Sequence, residues 1–175
     1  VFTCDSGRIT LDWCDYGGGN GIKLANLSGP VTVSNCEIHD TPDSAVSDGQ
    51  DTGSRATIED NFIHDAESGL SVSAPGVIQR NCITGNQWGL IPGGGWGLST
   101  VVKNNSIFDS TSFEAYAQGL NDGTVSTIDL SGNYWGGTVA AVVEFRTLGF
   151  DDEPDWDQVV FEPVLTSDVA CGRWG

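Results

Sequence analysis

Hydrophobic positions along this chain recur at strand spacing inside a repeated unit. Val33–Ile38, Ile58–Ile63, Ile78–Ile83 and Val102–Ile107 each read aliphatic, two variable residues, Asn or Cys, one variable residue, Ile. Leu11–Tyr16 and Leu130–Trp135 fit as degenerate first and last copies. The Asn/Cys positions 14, 36, 61, 81, 105 and 133 lie 20 to 28 residues apart, a sustained period that predicts a stacked solenoid.

Spacing within the unit selects the kind of solenoid. Alternate side chains of a strand point the same way, so Val31/Val33 and Ala56/Ile58 mark inward pairs. The repeating Ile follows the second aliphatic by five positions and breaks that alternation, which places a bend at the Asn or Cys. A second inward pair follows in each unit: Ile22/Leu24, Ala45/Ser47, Leu70/Val72, Leu90/Pro92 and Ala115/Ala117. Three short strands per turn, no helical period and 24 glycines predict an all-β parallel β-helix of about six coils. Stacking puts Asn61, Asn81, Asn105 and Asn133 in one interior file, where their amides can bond to each other and to the corner backbone. Asparagine also tolerates the left-handed conformation that a sharp corner needs.

The Val-x-x-Asn-x-Ile register, over roughly residues 9–135, resembles the right-handed parallel β-helix repeat of pectate-lyase-like and NosD-like proteins. Residues 132–165, from Gly132-Asn133-Tyr134-Trp135 to Val164-Leu165, resemble the closing segment of bacterial surface β-helix proteins. The resemblance implies a right-handed solenoid and says little of function, because one fold hosts many unrelated sites. The division expected is coils over 1–137 and a C-terminal cap over 138–175 within the same domain. The cap is read as a short helix over Thr138–Leu148 stopped by Gly149, an acidic loop, and a strand at Val159–Phe161 halted by Pro163. No polar cap or amphipathic helix is evident at the start, so further coils or another subunit are expected to meet the N-terminal coil.

Charge narrows the partners. The net charge is −17, from 24 acidic and 7 basic residues. Such a surface excludes nucleic acid, whose binding needs Lys and Arg against phosphates, and disfavours anionic membranes. It suits extracellular or saline conditions and divalent cations. No run is apolar enough to span a bilayer. Five cysteines without a CxxC pair argue against zinc-ribbon and haem attachments. Cys14 and Cys36 occupy the ladder position of successive coils, about 5 Å apart by coil spacing, and are the first choice for a disulfide. Cys4, Cys82 and Cys171 are left undetermined. Oxidised cysteines would fit export. Asn26-Leu27-Ser28 and Asn104-Asn105-Ser106 match the glycosylation sequon.

Several residues could carry chemistry. His39 and His64 share one repeat position and are followed by Asp40 and Asp65, which puts two imidazoles one coil apart beside two carboxylates, a set suited to a transition metal or to acid–base work. Gly17, Thr84 and Phe108 end that file. Polysaccharide lyases of the resembling fold use calcium-binding carboxylates with an Arg or Lys base on an outer face. Glu37, Glu59, Arg80 and Lys103 are the candidates here, though pre-corner and post-corner residues point differently. The combined Asn-x-Asp, Asp-Asp, Gly-His-Gly and Arg-Ile-Lys set of the polygalacturonase relatives is absent; Asp151-Asp152 is the only paired Asp and lies in the cap. Asp151, Asp152, Asp155 and Asp157 offer oxygen ligands for calcium without EF-hand spacing. Asp48, Asp51 and Asp122 sit in other loops. Trp88 and Trp96 lie in glycine-rich turns and are candidate sugar-stacking platforms, whereas Trp135 and Trp13 belong to the repeat and pack. The leading reading is a non-catalytic, exported structural or surface-display module that binds glycan or assembles with itself. The alternative is a calcium-dependent polysaccharide lyase or part of one.

Overall fold

A computed structural model describes residues 21–24, 31–48, 56–72, 76–92, 101–116, 127–137, 147–148 and 158–174. Their strands are β1 (Ile22–Leu24), β2 (Val31–Ser34), β3 (Glu37–His39), β4 (Ser44–Asp48), β5 (Ala56–Glu59), β6 (Phe62–His64), β7 (Ser68–Val72) and β8 (Val77–Gln79). There follow β9 (Cys82–Thr84), β10 (Trp88–Pro92), β11 (Val101–Lys103), β12 (Ser106–Phe108), β13 (Phe113–Tyr116), β14 (Thr127–Asp129), β15 (Thr147–Leu148) and β16 (Gln158–Val160). All pairings are parallel and join each strand to its counterpart one coil away, in the orders β1-β4-β7-β10-β13-β15, β2-β5-β8-β11 and β3-β6-β9-β12. This is a parallel β-helix with three strands per winding.

The inward side chains form continuous files. Val33, Ile58, Ile78 and Val102 line one wall; Ile38, Ile63, Ile83 and Ile107 line the next, where buried Trp135 takes the following level. On the third wall Ile22, Val46, Leu70, Leu90 and Ala115 align. Here the expected inward pair Ala45/Ser47 is corrected by one residue: Val46, not Ala45, pairs with Leu70. Val46 lies eight residues after Ile38, whereas Leu70 lies seven after Ile63, so the Asp40–Asp43 turn carries one extra residue.

The asparagine file is present, and its bonds are explicit. Asn61, Asn81, Asn105 and Asn133 are fully buried. Each Oδ1 accepts the backbone N–H of the preceding ladder residue: Cys36 to Asn61 at 3.0 Å, Asn61 to Asn81 at 3.1 Å, Asn81 to Asn105 at 3.0 Å and Asn105 to Asn133 at 2.9 Å. Each Nδ2 donates to a carbonyl of the coil before it, those of Val33, Ile58, Ile78 and Val102. The buried ladder amides and the N–H groups of Cys36, Asn61, Asn81 and Asn105 are thereby paired, which avoids about 1–3 kcal/mol per orphaned group. The left-handed conformation falls one residue earlier than the ladder, at Asn35, Asp60, Arg80, Asn104 and Gly132. A second left-handed corner follows each short strand, at Asp40, Asp65, Gly85, Asp109 and Gly136. Asn, Asp and Gly occupy these slots because they enter that region at least cost; Arg80 is the exception.

Toward the C-terminus the winding continues where a helix was expected. Thr147 and Leu148 pair with Ala115 and Tyr116 as β15 and extend the stack; 138–146 lies outside the described residues. The strand expected at Val159–Phe161 is β16, Gln158–Val160, which pairs with β14. Phe161 and Val164 then pack on the core. From there the chain turns onto the outer face of β12, β9 and β6 and runs back down the stack as a strap, ending in a 3-10 turn at Cys171–Arg173.

Candidate functional site

Two rows of side chains stand on the outside of the β3-β6-β9-β12 sheet. Register places Glu37, Phe62, Cys82 and Ser106 in the first row and His39, His64, Thr84 and Phe108 in the second. The strap lies over the first row. The Ser106 hydroxyl donates to Asp168 and accepts the N–H groups of Val169 and Ala170 at 3.0 and 3.2 Å. One coil down, Cys82 and Cys171 form a disulfide. One coil further, Trp174 stacks on Phe62 at 5.8 Å and Arg173 reaches the Asp60 carboxylate at 2.9 Å. Three successive coils are thus joined by one segment. Burial opposes ionisation of Asp168, but the Ser106 hydroxyl and the N–H groups of Cys171 and Ala170 outweigh it and hold the carboxyl below its ordinary range.

At the corner beside the strap, a cleft of about 410 Å³ is lined by Asp60, Arg80, Asp168, Val169, Ala170, Gly172 and Arg173. Arg80 grips Asp60 with two nitrogens, at 3.0 and 2.7 Å, and reaches Glu59 at 2.7 Å. Gln79 donates to the same Glu59 oxygen at 2.8 Å. The hydrogen bond from Arg80 lowers the Asp60 pKa most, against burial, and the charge of Arg173 adds to it. In return Asp60, and then Glu59, raise the Arg80 guanidinium further above its ordinary range. Arg80 is therefore a fixed cation held by two carboxylates, a poor proton acceptor and a good fastener.

The candidates separate into different places. Glu59 and Arg80 come together. Glu37 lies on the other side of the corner, where its Oε1 is 3.3 Å from His64 Nε2. Lys103 is exposed at the end of β11. His39 and His64 stack one coil apart as expected, with ring centroids 5.0 Å apart and planes within 4°. Each Nδ1 contacts the following carboxylate, Asp40 at 2.6 Å and Asp65 at 2.7 Å. Trp88 is half-buried on β10; its ring stacks on Tyr116 of the next coil at 5.2 Å, so one of its faces is covered. Trp96, the acidic loop Asp151, Asp152, Asp155 and Asp157, and Cys14 of the expected Cys14–Cys36 bridge lie outside the described residues. Cys36 is buried, with its Sγ 3.3 Å from the Ser34 carbonyl oxygen.

Sequence reasoning missed Asp60, Asp168, Arg173 and the pairing of Cys82 with Cys171. Asp60 was detectable in principle, since it takes the same corner slot as Asn35 and Asn104; Arg173 had no signal at all. Among the described residues no group of three or more His, Cys, Asp or Glu could hold a metal ion, and no helix is long and apolar enough to cross a membrane. The family model described as the right handed beta helix region matches residues 2–99. Comparison with the curated proteins and with the solved structures finds no match.

Proposed function

The chain belongs to the right-handed β-helix family, and from that premise we propose that it serves as a non-catalytic, exported structural module whose outer faces bind glycan or further copies of itself. The fold alone does not choose among functions. The observation that carries this reading is the strap: the outer face that would hold an active groove is crossed by residues 168–174 and fastened through Ser106, Cys82 and Asp60. Of the charges that sequence offered as acid or base, Arg80 is engaged by Glu59 and Asp60, and Asp60 in turn holds Arg173 of the strap. Export is supported by the disulfide, which persists in oxidising compartments. Glycan contact is assigned to Trp88 and Trp96, calcium to Asp151, Asp152, Asp155 and Asp157, and self-association to the N-terminal coil.

A polysaccharide lyase remains the competing reading, favoured by the meeting of Glu59 and Arg80. The fixed charge on Arg80 weighs against it, because a base must be able to lose its proton. Incubation with uronate polymers and calcium, followed by the absorbance of unsaturated products, separates the two. The structural reading expects no turnover with the oxidised protein or with the Cys171→Ser variant. Turnover by either overturns it. Glycan arrays with wild type and Trp88→Ala, and light scattering across concentrations, test binding and assembly.

A further inference from the structure

We propose that the cleft between the strap and the Asp60–Arg80 corner binds the uncharged, hydroxyl-rich rings of a neutral glycan. The inference rests on the glycan part of the reading above, and gives it a second place and a chemical class. The cleft holds about 410 Å³, inside the range of about 300–1,000 Å³ usual for small-ligand sites. Its walls come from two separate parts of the chain. Asp60 and Arg80 belong to the coil corners, whereas Asp168, Val169 and Arg173 belong to the strap.

The first argument is the hydrogen-bonding capacity that the fastening leaves over. Arg80 spends Nε and Nη2 on Asp60 and Glu59. Arg173 spends Nη1 and Nη2 on the Asp60 carboxylate and carbonyl. Asp168 Oδ1 accepts the Ser106 hydroxyl and the N–H groups of Ala170 and Cys171. Among the described residues nothing engages Arg80 Nη1, Arg173 Nε or Asp168 Oδ2. Donors and an acceptor therefore border one cleft, each on a side chain already held by its other atoms. A hydroxyl both donates and accepts. Neighbouring hydroxyls of a sugar ring can thus take an N–H from a guanidinium and give an O–H to the carboxylate. Groups fixed before the ligand arrives add little ordering cost on binding.

The second argument is charge. Two aspartates and two arginines line the cleft and cancel formally. Glu59, 2.7 Å from Arg80, tips the local balance negative, as does the chain as a whole at −17. An anionic sugar meets net repulsion here, and a free cation meets two guanidiniums. An uncharged polyol meets neither. Val169, 50% exposed at the rim, offers apolar surface to the C–H face of a sugar ring.

The test titrates the intact, oxidised chain with cellotetraose, maltotetraose and tetragalacturonate while NMR follows the Val169 methyls, the arginine Nε–H groups and the tryptophan indoles. A neutral tetrasaccharide is expected to shift Val169, Arg80 and Arg173 together, saturating with millimolar affinity, and tetragalacturonate to bind there more weakly. Asp168→Asn keeps the Oδ1 acceptor but turns the spare oxygen into a donor, and should weaken binding about tenfold. Val169→Ser changes an exposed side chain, so the urea midpoint should stay put while binding falls about threefold. Thr32→Ala should bind like wild type. Shifts confined to the Trp88 indole overturn the cleft and leave the glycan reading standing. Silence at every signal with all three saccharides overturns both. Tighter binding of tetragalacturonate in the cleft, or Asp168→Asn and Val169→Ser proteins that bind like wild type, also overturn the proposal.

Discussion

Replacing Asn81 by Ala is the perturbation that probes the stacked corner most sharply. The Asn81 Oδ1 accepts from Asn61 N at 3.1 Å and from Asn61 Nδ2 at 2.9 Å, and its Nδ2 donates to Ile58 O at 2.8 Å and to Asn105 Oδ1 at 3.0 Å. Truncation leaves the Asn61 backbone N–H without this acceptor inside a buried corner, at about 1–3 kcal/mol. The bonds to Ile58 and Asn105 add about 0.5–1.5 kcal/mol each. Asn61 Nδ2 keeps its bond to Val33 O and adds little. The expected loss is roughly 2–6 kcal/mol, centred near 4. Urea unfolding reads it as a lower midpoint at unchanged slope, against Thr32→Ala on the exposed side of β2, expected within about 0.5 kcal/mol of wild type. Asn81→Asp should be at least as damaging at neutral pH, because an acceptor then faces Ile58 O and Asn105 Oδ1. It should partly recover in acid, where the protonated carboxyl regains one donor. An Asn81→Ala protein as stable as Thr32→Ala would refute the ladder as a source of stability.

The remaining expectations concern the strap, the charges and the close approaches of backbone. The Cys82–Cys171 bridge spans 89 residues, and loop closure of that size corresponds to about 4–5 kcal/mol, so reduction or Cys171→Ser should lower stability by up to that amount in urea unfolding. The lowered pKa of Asp60 means that its ionised form stabilises the fold above the ordinary value of 3.8, with that contribution lost as pH falls through the folded value. The stability difference between wild type and Asp60→Asn should therefore shrink as unfolding is followed into acid. Gly76→Ala would place a methyl 2.1 Å from the Ala56 carbonyl oxygen and should cost about 1–3 kcal/mol or more, while Gly172→Ala meets nothing within 4 Å and should be near neutral.

Much of the winding could be read from the letters because its physics is periodic. The ladder asparagines and inward isoleucines recur at fixed offsets, so the files Ile38–Ile63–Ile83–Ile107 and Asn61–Asn81–Asn105–Asn133 followed directly from spacing. The outward rows followed from the same alternation, including the superposition of His39 on His64. Reading failed where the period breaks. The extra residue between Asp40 and Asp43 shifts the third wall by one, which spacing alone could not assign without knowing which turn was longer. The corner conformation was attributed to the asparagines, whereas their buried amide bonds hold them and the residue before them turns the chain. The strap was invisible because it rests on single long-range encounters: Asp168 with Ser106, Cys171 with Cys82, Arg173 with Asp60. No repeat offset links such partners, and a count of five cysteines does not say which pair forms.

The claim on which the functional argument rests is that residues 168–174 are fastened across the outer face of the stack, so that this face is no open groove. Peptide mapping of the unreduced protein tests it directly. A peptide containing Cys82 linked to one containing Cys171 is the predicted product, separating only after reduction. Recovery of both cysteines as thiols, or of either joined to a different partner, would contradict the strap and reopen the face to catalysis.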